Sequence, residues 1–320
     1  MILTVTLNAA LDITHRVDRL RPHASNRVAS VAQRAGGKGV NVARVLHALG
    51  HECAVTGLAG GATGAAVRAE LASARLADHL VPIRGETRRT VAVVDDRDTT
   101  ILLEPGPFVT RAEWARFVDH YRLLLSGAAA VVLAGSLPPG IPVDAYASLI
   151  ALARAQDVPT LLDADGAALT AALAAAPDVV KPNAHELAAA TGGSDPGAGA
   201  AALSAAGARA VVASLGPEGL LAHTPQGAWR ARPPAPVAGN PTGAGDAAVA
   251  ALARTFGRPW PERLAEAVAL SAAAVAAPLA GDFDPEVRRA LLRTVTVSPI
   301  ASPRTGRSDA TSTGGTSSPR

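Results

Sequence analysis

Cysteine is almost missing from this chain of 320 residues: Cys53 stands alone. A disulfide framework is therefore impossible, a cysteine-based zinc site is excluded, and a cytoplasmic setting is favoured. The eight histidines are scattered, and none forms the His-Glu-x-x-His pair of a helical zinc site. Excess charge is missing too. Thirty basic residues face 27 acidic ones, a net +3, and part of that sits in Arg304, Arg307 and Arg320 near the end. The body is close to neutral, which argues against a nucleic-acid surface. No membrane span is expected, because the longest uncharged run, 123–143, contains Pro138, Pro139 and Pro142. The first residues carry no basic segment and reach Asp12 quickly, so they do not read as a secretory signal.

Lysine and asparagine are scarce in a more telling way. Arginine supplies every basic residue except Lys38 and Lys181, and the asparagines are Asn8, Asn26, Asn41, Asn183 and Asn240. In a chain flooded with Ala, Arg and Gly, the survivors mark positions where Arg or Asp would not serve. Both lysines and four of these asparagines lie in glycine- or proline-marked segments.

What is present is an apolar fraction of 48%, enough to build a substantial core. The length allows two domains or one large α/β domain. Short apolar runs at 2–7, 53–58, 129–134, 159–163, 179–180 and 210–214 alternate with Ala/Leu-rich segments of helical period. That alternation, with strands apolar throughout, predicts a mainly parallel sheet covered by helices on both faces. Segments 219–223 and 227–231 read as a hairpin, and helices are expected near 243–256, 261–277 and 285–293. Two segments break the rhythm. Residues 90–94 and 99–103 are β-rich around the polar turn Asp95–Asp98, and 13–17 with 28–32 could add strands. A small sheet of residues 12–34 and 86–104 is therefore expected beside a core of 1–11, 35–85 and 105–297, either as a lid or interface or as a plain peripheral sheet. Residues 298–320 have almost no apolar content and read as a disordered tail.

The strongest chemical signal is Gly243-Ala244-Gly245-Asp246, after Asn240-Pro241-Thr242 and ahead of an apolar helix. Glycines at a helix start let backbone approach a ligand, and the first-turn amides lack partners. Such a turn suits phosphate oxygens and the charge of a transferred phosphoryl group. Asp246 there would repel phosphate unless it had another task, such as taking a proton from an incoming hydroxyl. The plain alternative is a glycine turn with an Asp cap. Gly36-Gly37-Lys38-Gly39-Val40-Asn41 also precedes a helix, and it is not a Walker A loop. Lys181-Pro182-Asn183-Ala184-His185-Glu186 ends a strand and starts a helix, where ligands bind open parallel sheets. Asn183 and Glu186 form a capping box by local reading, or they contact nucleotide phosphates and hydrated Mg²⁺. Gly135–Gly140, with Ser136, and Ser214–Gly219 are two further strand-end turns. Asp12 could accept sugar hydroxyls, and Arg88 could cover a phosphate with its planar fork.

Taken in order, these segments and Asn8–Asp12 resemble the ribokinase-like carbohydrate kinases. The resemblance is strongest to their phosphofructokinase-B branch, in the 1-phosphofructokinase and tagatose-6-phosphate kinase group, and it covers about residues 1–293. It implies a three-layer αβα sandwich with a small β-sheet lid that also builds a homodimer. It implies ATP and Mg²⁺ as cofactors and a ketohexose phosphate as acceptor, most of all fructose 1-phosphate going to fructose 1,6-bisphosphate. Tagatose 6-phosphate and fructose 6-phosphate are the near alternatives, and a binding protein without catalysis is the distant one. By position, the resemblance makes Asp246 the base and Gly243, Ala244 and Gly245 the anion hole. It puts Asp12, Gly37, Lys38, Asn41, Arg88, Arg27 and Ser136 on the sugar phosphate. It puts Lys181, Asn183, Glu186, Ser214, Gly216, Gly219 and Thr242 on the nucleotide, with Glu186 reaching the metal through water. Two departures stand out: Asn8-Ala9-Ala10 replaces Asn-Pro-Ala, and Leu162-Asp163-Ala164-Asp165-Gly166 replaces the commoner strand-end pattern, which leaves Asp163 without a role.

Overall fold

The computed structural model describes residues 1–300. Its main sheet has ten strands. From one edge, β5 (Ala77–Ile83), β4 (Cys53–Gly60), β1 (Ile2–Thr6), β8 (Ala130–Ala134), β9 (Thr160–Asp163), β10 (Val179–Val180) and β11 (Val211–Ser214) run parallel. The antiparallel β12 (Leu220–Thr224), β13 (Gly227–Arg232) and β14 (Thr296–Ile300) complete the other edge. Successive residues of a strand point to opposite faces, and here both faces are apolar. Ile2, Val55, Val132 and Leu161 enter one core with α1 (Lys38–Ala48), α2 (Gly61–Ser73), α8 (Ala244–Arg254) and α9 (Trp260–Val275). Leu3, Ala54, Val131 and Leu162 enter the other with α3 (Arg111–Leu125), α4 (Ala145–Arg154), α5 (Gly166–Ala172), α6 (Ala184–Thr191) and α7 (Pro196–Ala205). Short α10 (Pro285–Leu291) packs on α9. The expected αβα sandwich is therefore the fold.

A second sheet of four strands follows the order β3 (Ser30–Gly36), β2 (Ala10–Arg16), β6 (Arg88–Val94), β7 (Thr99–Leu103). It comes from the two segments that broke the sequence rhythm, although β2 begins at Ala10 and β3 runs to Gly36, two residues beyond the expected bounds at each end. Val31, Ile101, Leu102 and Leu103 stand exposed on it.

One expectation is corrected at the carboxyl terminus. Residues 298–300 are not tail but the last part of β14, whose Ser298 pairs with Arg230 and whose Ile300 pairs with Ala228. Backbone pairing with the open edge of β13 makes that strand despite its weak apolar content. The rest of the expected tail, 301–320, lies outside the described residues. Among the described residues, no helix is long and apolar enough to cross a membrane.

Candidate active site

The parallel strands all end on one side, and the helix starts after them enclose a cavity of about 670 Å³. Glycine shapes two of those starts. Gly37 caps α1 at φ 102° and Gly243 caps α8 at φ 85°, backbone conformations that side chains with a Cβ rarely adopt. A Cβ on Gly243 would also stand 2.8 Å from the Cα of Ala280. The turn is thus fixed from behind, with its amides facing the cavity.

Those amides are unequally free. Ala244 N–H donates to the Pro241 carbonyl at 3.2 Å, and this corrects the expectation that every amide of the turn serves the anion hole. The tight Pro241–Ala244 turn consumes that donor. Gly243, Gly245 and Asp246 N–H have no acceptor among the described residues. Asp246 follows in the first turn of α8, buried, with Oδ2 accepting from Asn41 Nδ2 at 2.8 Å. Burial, reinforced by the negative charge of Asp163, pushes its carboxyl up to about 7, against the pull of Asn41, Lys38 and Lys181. A carboxylate poised there can accept a proton near neutral pH.

Both lysines meet on a second carboxylate. Asp163 ends β9 with its side chain only 2% exposed, and its Oδ1 accepts from Lys38 Nζ at 3.0 Å. Its Oδ2 lies 3.6 Å from Lys181 Nζ. Lys181 directly follows the neighbouring β10, and a Cβ on Gly245 would stand 3.6 Å from its Nζ, so this ammonium lies beside the first turn of α8. Lys38 is also 3.7 Å from Glu186 Oε1. Nearby carboxylates raise the Lys38 ammonium above its ordinary range although burial opposes them, so it stays charged. The capping box of Asn183 and Glu186 is formed: Asn183 Oδ1 accepts from Glu186 N–H, and Glu186 Oε2 accepts from Asn183 N–H, each at 2.8 Å. Asn183 Nδ2 and Glu186 Oε1 remain outside the cap bonds.

The structure brings Lys38, Lys181, Asn183, Glu186, Ser214, Gly216, Gly219, Gly243, Ala244, Gly245 and Asp246 into one cavity wall. The far wall is apolar, made by Val237, Val268, Ala272 and Val275 with Ser271. A second group gathers where β2 leaves the core. Asn8 Nδ2 donates to Ser136 Oγ at 3.0 Å and to the Pro105 carbonyl at 3.1 Å, and the Asn8 carbonyl accepts from Arg88 Nε at 3.1 Å. Burial raises the Asp12 carboxyl, while Thr90 and the guanidinium groups of Arg88, Arg44 and Arg34 pull it back. Its carboxylate lies against the Cα of Gly36, so this acid sits just ahead of the Lys38 turn.

Two expected residues are not brought in. Thr242 is exposed and outside the cavity wall, and its N–H closes a turn on Asn240 Oδ1 at 3.0 Å. Arg27 is exposed on the 17–29 connection, beyond the Arg16–Ser30 end of the small sheet, whereas Asp12 lies toward the Ala10–Gly36 end. Two further contributors had no role assigned from sequence: Asn8 stood there only as part of a motif, and Asp163 only as a departure from the family's strand-end pattern.

Among the described residues no group of three His, Cys, Asp or Glu side chains is placed to hold an ion. Glu186, which lines the cavity and keeps Oε1 outside its cap bonds 3.7 Å from Lys38, offers one oxygen to a hydrated Mg²⁺ carried on phosphates, which needs few protein ligands.

Known proteins share this sequence pattern and fold. Residues 3–286 match the model of the pfkB family of carbohydrate kinases. The 1-phosphofructokinase of Xanthomonas campestris pv. campestris is 42% identical over 262 residues, which is 78% of this chain and 82% of that protein. The structure of a possible 1-phosphofructokinase from Thermotoga maritima superposes with a TM-score of 0.85 at 27% identity, covering 94% of this chain and 99% of the other. Phosphofructokinase-2 from Escherichia coli in complex with fructose-6-phosphate gives 0.82 at 28%, covering 91% and 98%.

Proposed function

The chain belongs to the pfkB family of carbohydrate kinases and is an ATP-dependent sugar-phosphate kinase, and from that premise we propose that it phosphorylates the 6-hydroxyl of fructose 1-phosphate, giving fructose 1,6-bisphosphate and ADP. The observation that carries the chemistry is Asp246: a buried carboxylate held by Asn41, raised to about 7, among three free amides on the floor of a cavity with two lysines. The name of the 42% identical relative supports the choice of acceptor.

In this reading the sugar phosphate lies between Asp12, Asn41 and Lys38, with Arg88 toward its phosphate. Asn8, held through Nδ2 by Ser136 and Pro105, accepts from Arg88 Nε on its carbonyl and so fixes that arginine's fork. ATP lies along the strand ends, its base in the apolar compartment near Val268 and Ala272 and its phosphates toward Lys181, Asn183, Ser214, Gly216 and Gly219. Asp246 takes the proton of the attacking hydroxyl as the oxygen bonds to the γ-phosphorus and the bond to the leaving ADP oxygen breaks. The amides of Gly243 and Gly245 and the Lys181 ammonium stabilise the negative charge on the transferred group. Mg²⁺ bound with the nucleotide, held through water by Glu186, would spread charge over the phosphate oxygens.

The small sheet closes over the sugar and pairs with a second copy of the chain through its exposed apolar residues, among them Ile101, Leu102 and Leu103. Light scattering on the wild type and on Leu102→Asp tests the homodimer: a monomeric wild type defeats it, and a dimer lost in the variant supports it. For the activity, ADP release is measured with fructose 1-phosphate, fructose 6-phosphate, tagatose 6-phosphate and plain fructose. Highest kcat/KM on fructose 1-phosphate supports the proposal. Preference for fructose 6-phosphate, the ligand bound to the Escherichia coli structure, moves the acceptor but keeps the chemistry. Binding without ADP release from any of them rejects the proposed reaction.

A further inference from the structure

Asp163 is buried at the centre of the charged floor and has no part in the mechanism above. Both of its oxygens are already committed, Oδ1 to Lys38 at 3.0 Å and Oδ2 to Lys181 at 3.6 Å, and its side chain is 2% exposed. It borders the cavity with very little exposed surface and turns an oxygen to each ammonium, so it acts on a ligand mainly through the two lysines. Its own position is fixed by the sheet. Its carbonyl accepts from Gly135 N–H at 3.0 Å, and Lys181 N–H donates to the preceding carbonyl, Leu162, at 2.9 Å. The carboxylate and Lys181 thus stand side by side on neighbouring strand ends, while Lys38 comes across from the first turn of α1.

A lysine is a point charge on a flexible four-carbon stem, with about 2 kcal/mol of rotamer entropy. Two such side chains in a cavity that also holds Glu186 and Asp246 have other carboxylates to collapse onto. Lys38 already lies 3.7 Å from Glu186. One carboxylate that offers an oxygen to each ammonium prevents this. We propose that Asp163 is a positioning residue: it holds Lys38 on the acceptor side and Lys181 on the nucleotide side at one fixed separation, and so sets the sugar hydroxyl in register with the terminal phosphate. This rests on the kinase reading of the cavity. Asp163 has a second effect through space. Its negative charge adds to burial in keeping Asp246 basic.

The test is steady-state kinetics of Asp163→Asn, Asp163→Glu, Lys38→Met and the Asp163→Asn/Lys38→Met double variant, with pH profiles and melting curves. Asp163→Asn is expected to lower kcat by about tenfold to a hundredfold, the scale of a small misplacement of reacting groups. KM is expected to rise for both substrates, and the acid limb of kcat/KM to move to lower pH. Asp163→Glu keeps the charge but displaces it by one methylene, so its acid limb stays in place while both KM values rise. In the Lys38→Met background the Asp163→Asn loss shrinks, because one of the groups it acts through is gone. A lower melting temperature with unchanged kinetics would assign Asp163 a purely structural role and overturn the inference. Fully multiplicative losses in the double variant, or recovery of Asp163→Asn at raised Mg²⁺, would also overturn it. If Asp163→Asn fails to fold, Asp163→Glu decides: KM values equal to the wild type refute positioning. A wild type that turns over no sugar phosphate strikes the kinase reading itself, whereas an active wild type with unaltered variants strikes this inference alone.

Discussion

At the amino ends of the parallel strands, buried charged groups are mostly paired with one another, Arg263 excepted; at the carboxyl ends several polar groups are left open. Asp178, ahead of β10, accepts from Thr160 N–H at 2.8 Å and Oγ1 at 3.2 Å, and from Arg209 Nη1 at 2.9 Å. Glu266 on α9 accepts from Arg254 Nη1 at 2.8 Å and Arg288 Nη2 at 2.7 Å, and Arg254 Nε donates to His51 Nε2 at 2.9 Å. At the carboxyl ends, by contrast, the amides of Gly243, Gly245 and Asp246 are free and one oxygen of Asp246 has no partner among the described residues. Groups left open beside a cavity in this way can meet a ligand without first breaking a bond inside the protein. The two ends of one sheet thus separate groups paired within the fold from groups left open beside the cavity, and on the proposed mechanism substitutions at the two ends are expected to act on different measurements.

The sharpest contrast is expected at Asp246. Asp246→Asn removes the base of the proposed mechanism and, on that proposal, is expected to lower turnover by about 10²–10⁴-fold while ATP still binds. It is also expected to stabilise the protein. The folded-state carboxyl of Asp246 is raised to about 7, so its ionised form costs stability above that pH. The cost fades as pH falls from 7 toward the ordinary carboxylate range. The melting temperature of the variant is therefore expected to exceed the wild type by about 2–5 °C at pH 8, with the gain shrinking at pH 5. A variant that is inactive but less stable at pH 8 would break the comparison, since Asp246 would then be holding the fold. In the wild type the same group sets the acid limb. Below about pH 7 kcat/KM is expected to fall tenfold per pH unit, as the base becomes protonated in the free enzyme. A limb near pH 5 would show that Asp246 is not desolvated as described.

How much of each end could be read in advance follows from range. The box on α6 was legible because Asn183 and Glu186 are three residues apart and bond within one turn. The glycine turn before α8 was legible for the same reason. Asp163 was not, because its partners come from residues 38 and 181, and only the sheet order puts β9 beside β10. The freedom of individual amides was equally hidden: whether Ala244 N–H is spent depends on how tightly Pro241 turns. β5 went unread because Asp78, His79 and Pro82 disguise a strand whose state is set by parallel pairing with β4. α7 escaped because Gly197 and Gly199 dilute its pattern, and β14 because it is an edge strand containing Ser298 and Pro299. The small sheet was readable as β-rich, but its parallel pairing of β2 with β6 is a long-range fact.

Glu266 tests the amino end directly. Its carboxylate is shared by two arginines and is 9% exposed. Glu266→Ala leaves both guanidinium groups without their acceptor and is expected to cost about 2–4 kcal/mol of unfolding free energy, read from a denaturant titration. Both kcat and KM are expected to stay within about twofold of the wild type, the scale of a substitution that touches no transition-state contact. A large kinetic effect with little loss of stability would erase the division between the two ends.

The smallest expected effect belongs to the residue that looks like an exception. Arg263, in the first turn of α9, is buried, and its Nε and Nη2 have no acceptor among the described residues. Burial lowers its guanidinium to about 10, so the charged form is disfavoured in the fold. What offsets this is its seat over the ring of Trp260 at 3.9 Å and of Phe256 at 5.0 Å. Cation–π contact contributes about 0.5–2 kcal/mol, and an unpaired buried polar group costs about 1–3 kcal/mol. The two terms nearly cancel. Arg263→Met keeps the aliphatic packing on both rings and removes the charge, so the expected change in stability is within about 1 kcal/mol in either direction, with kinetics unaltered. A loss well beyond that would mean that the guanidinium is an anchor rather than a tolerated charge. An altered KM would mean that the amino end of the sheet communicates with the cavity at the other end.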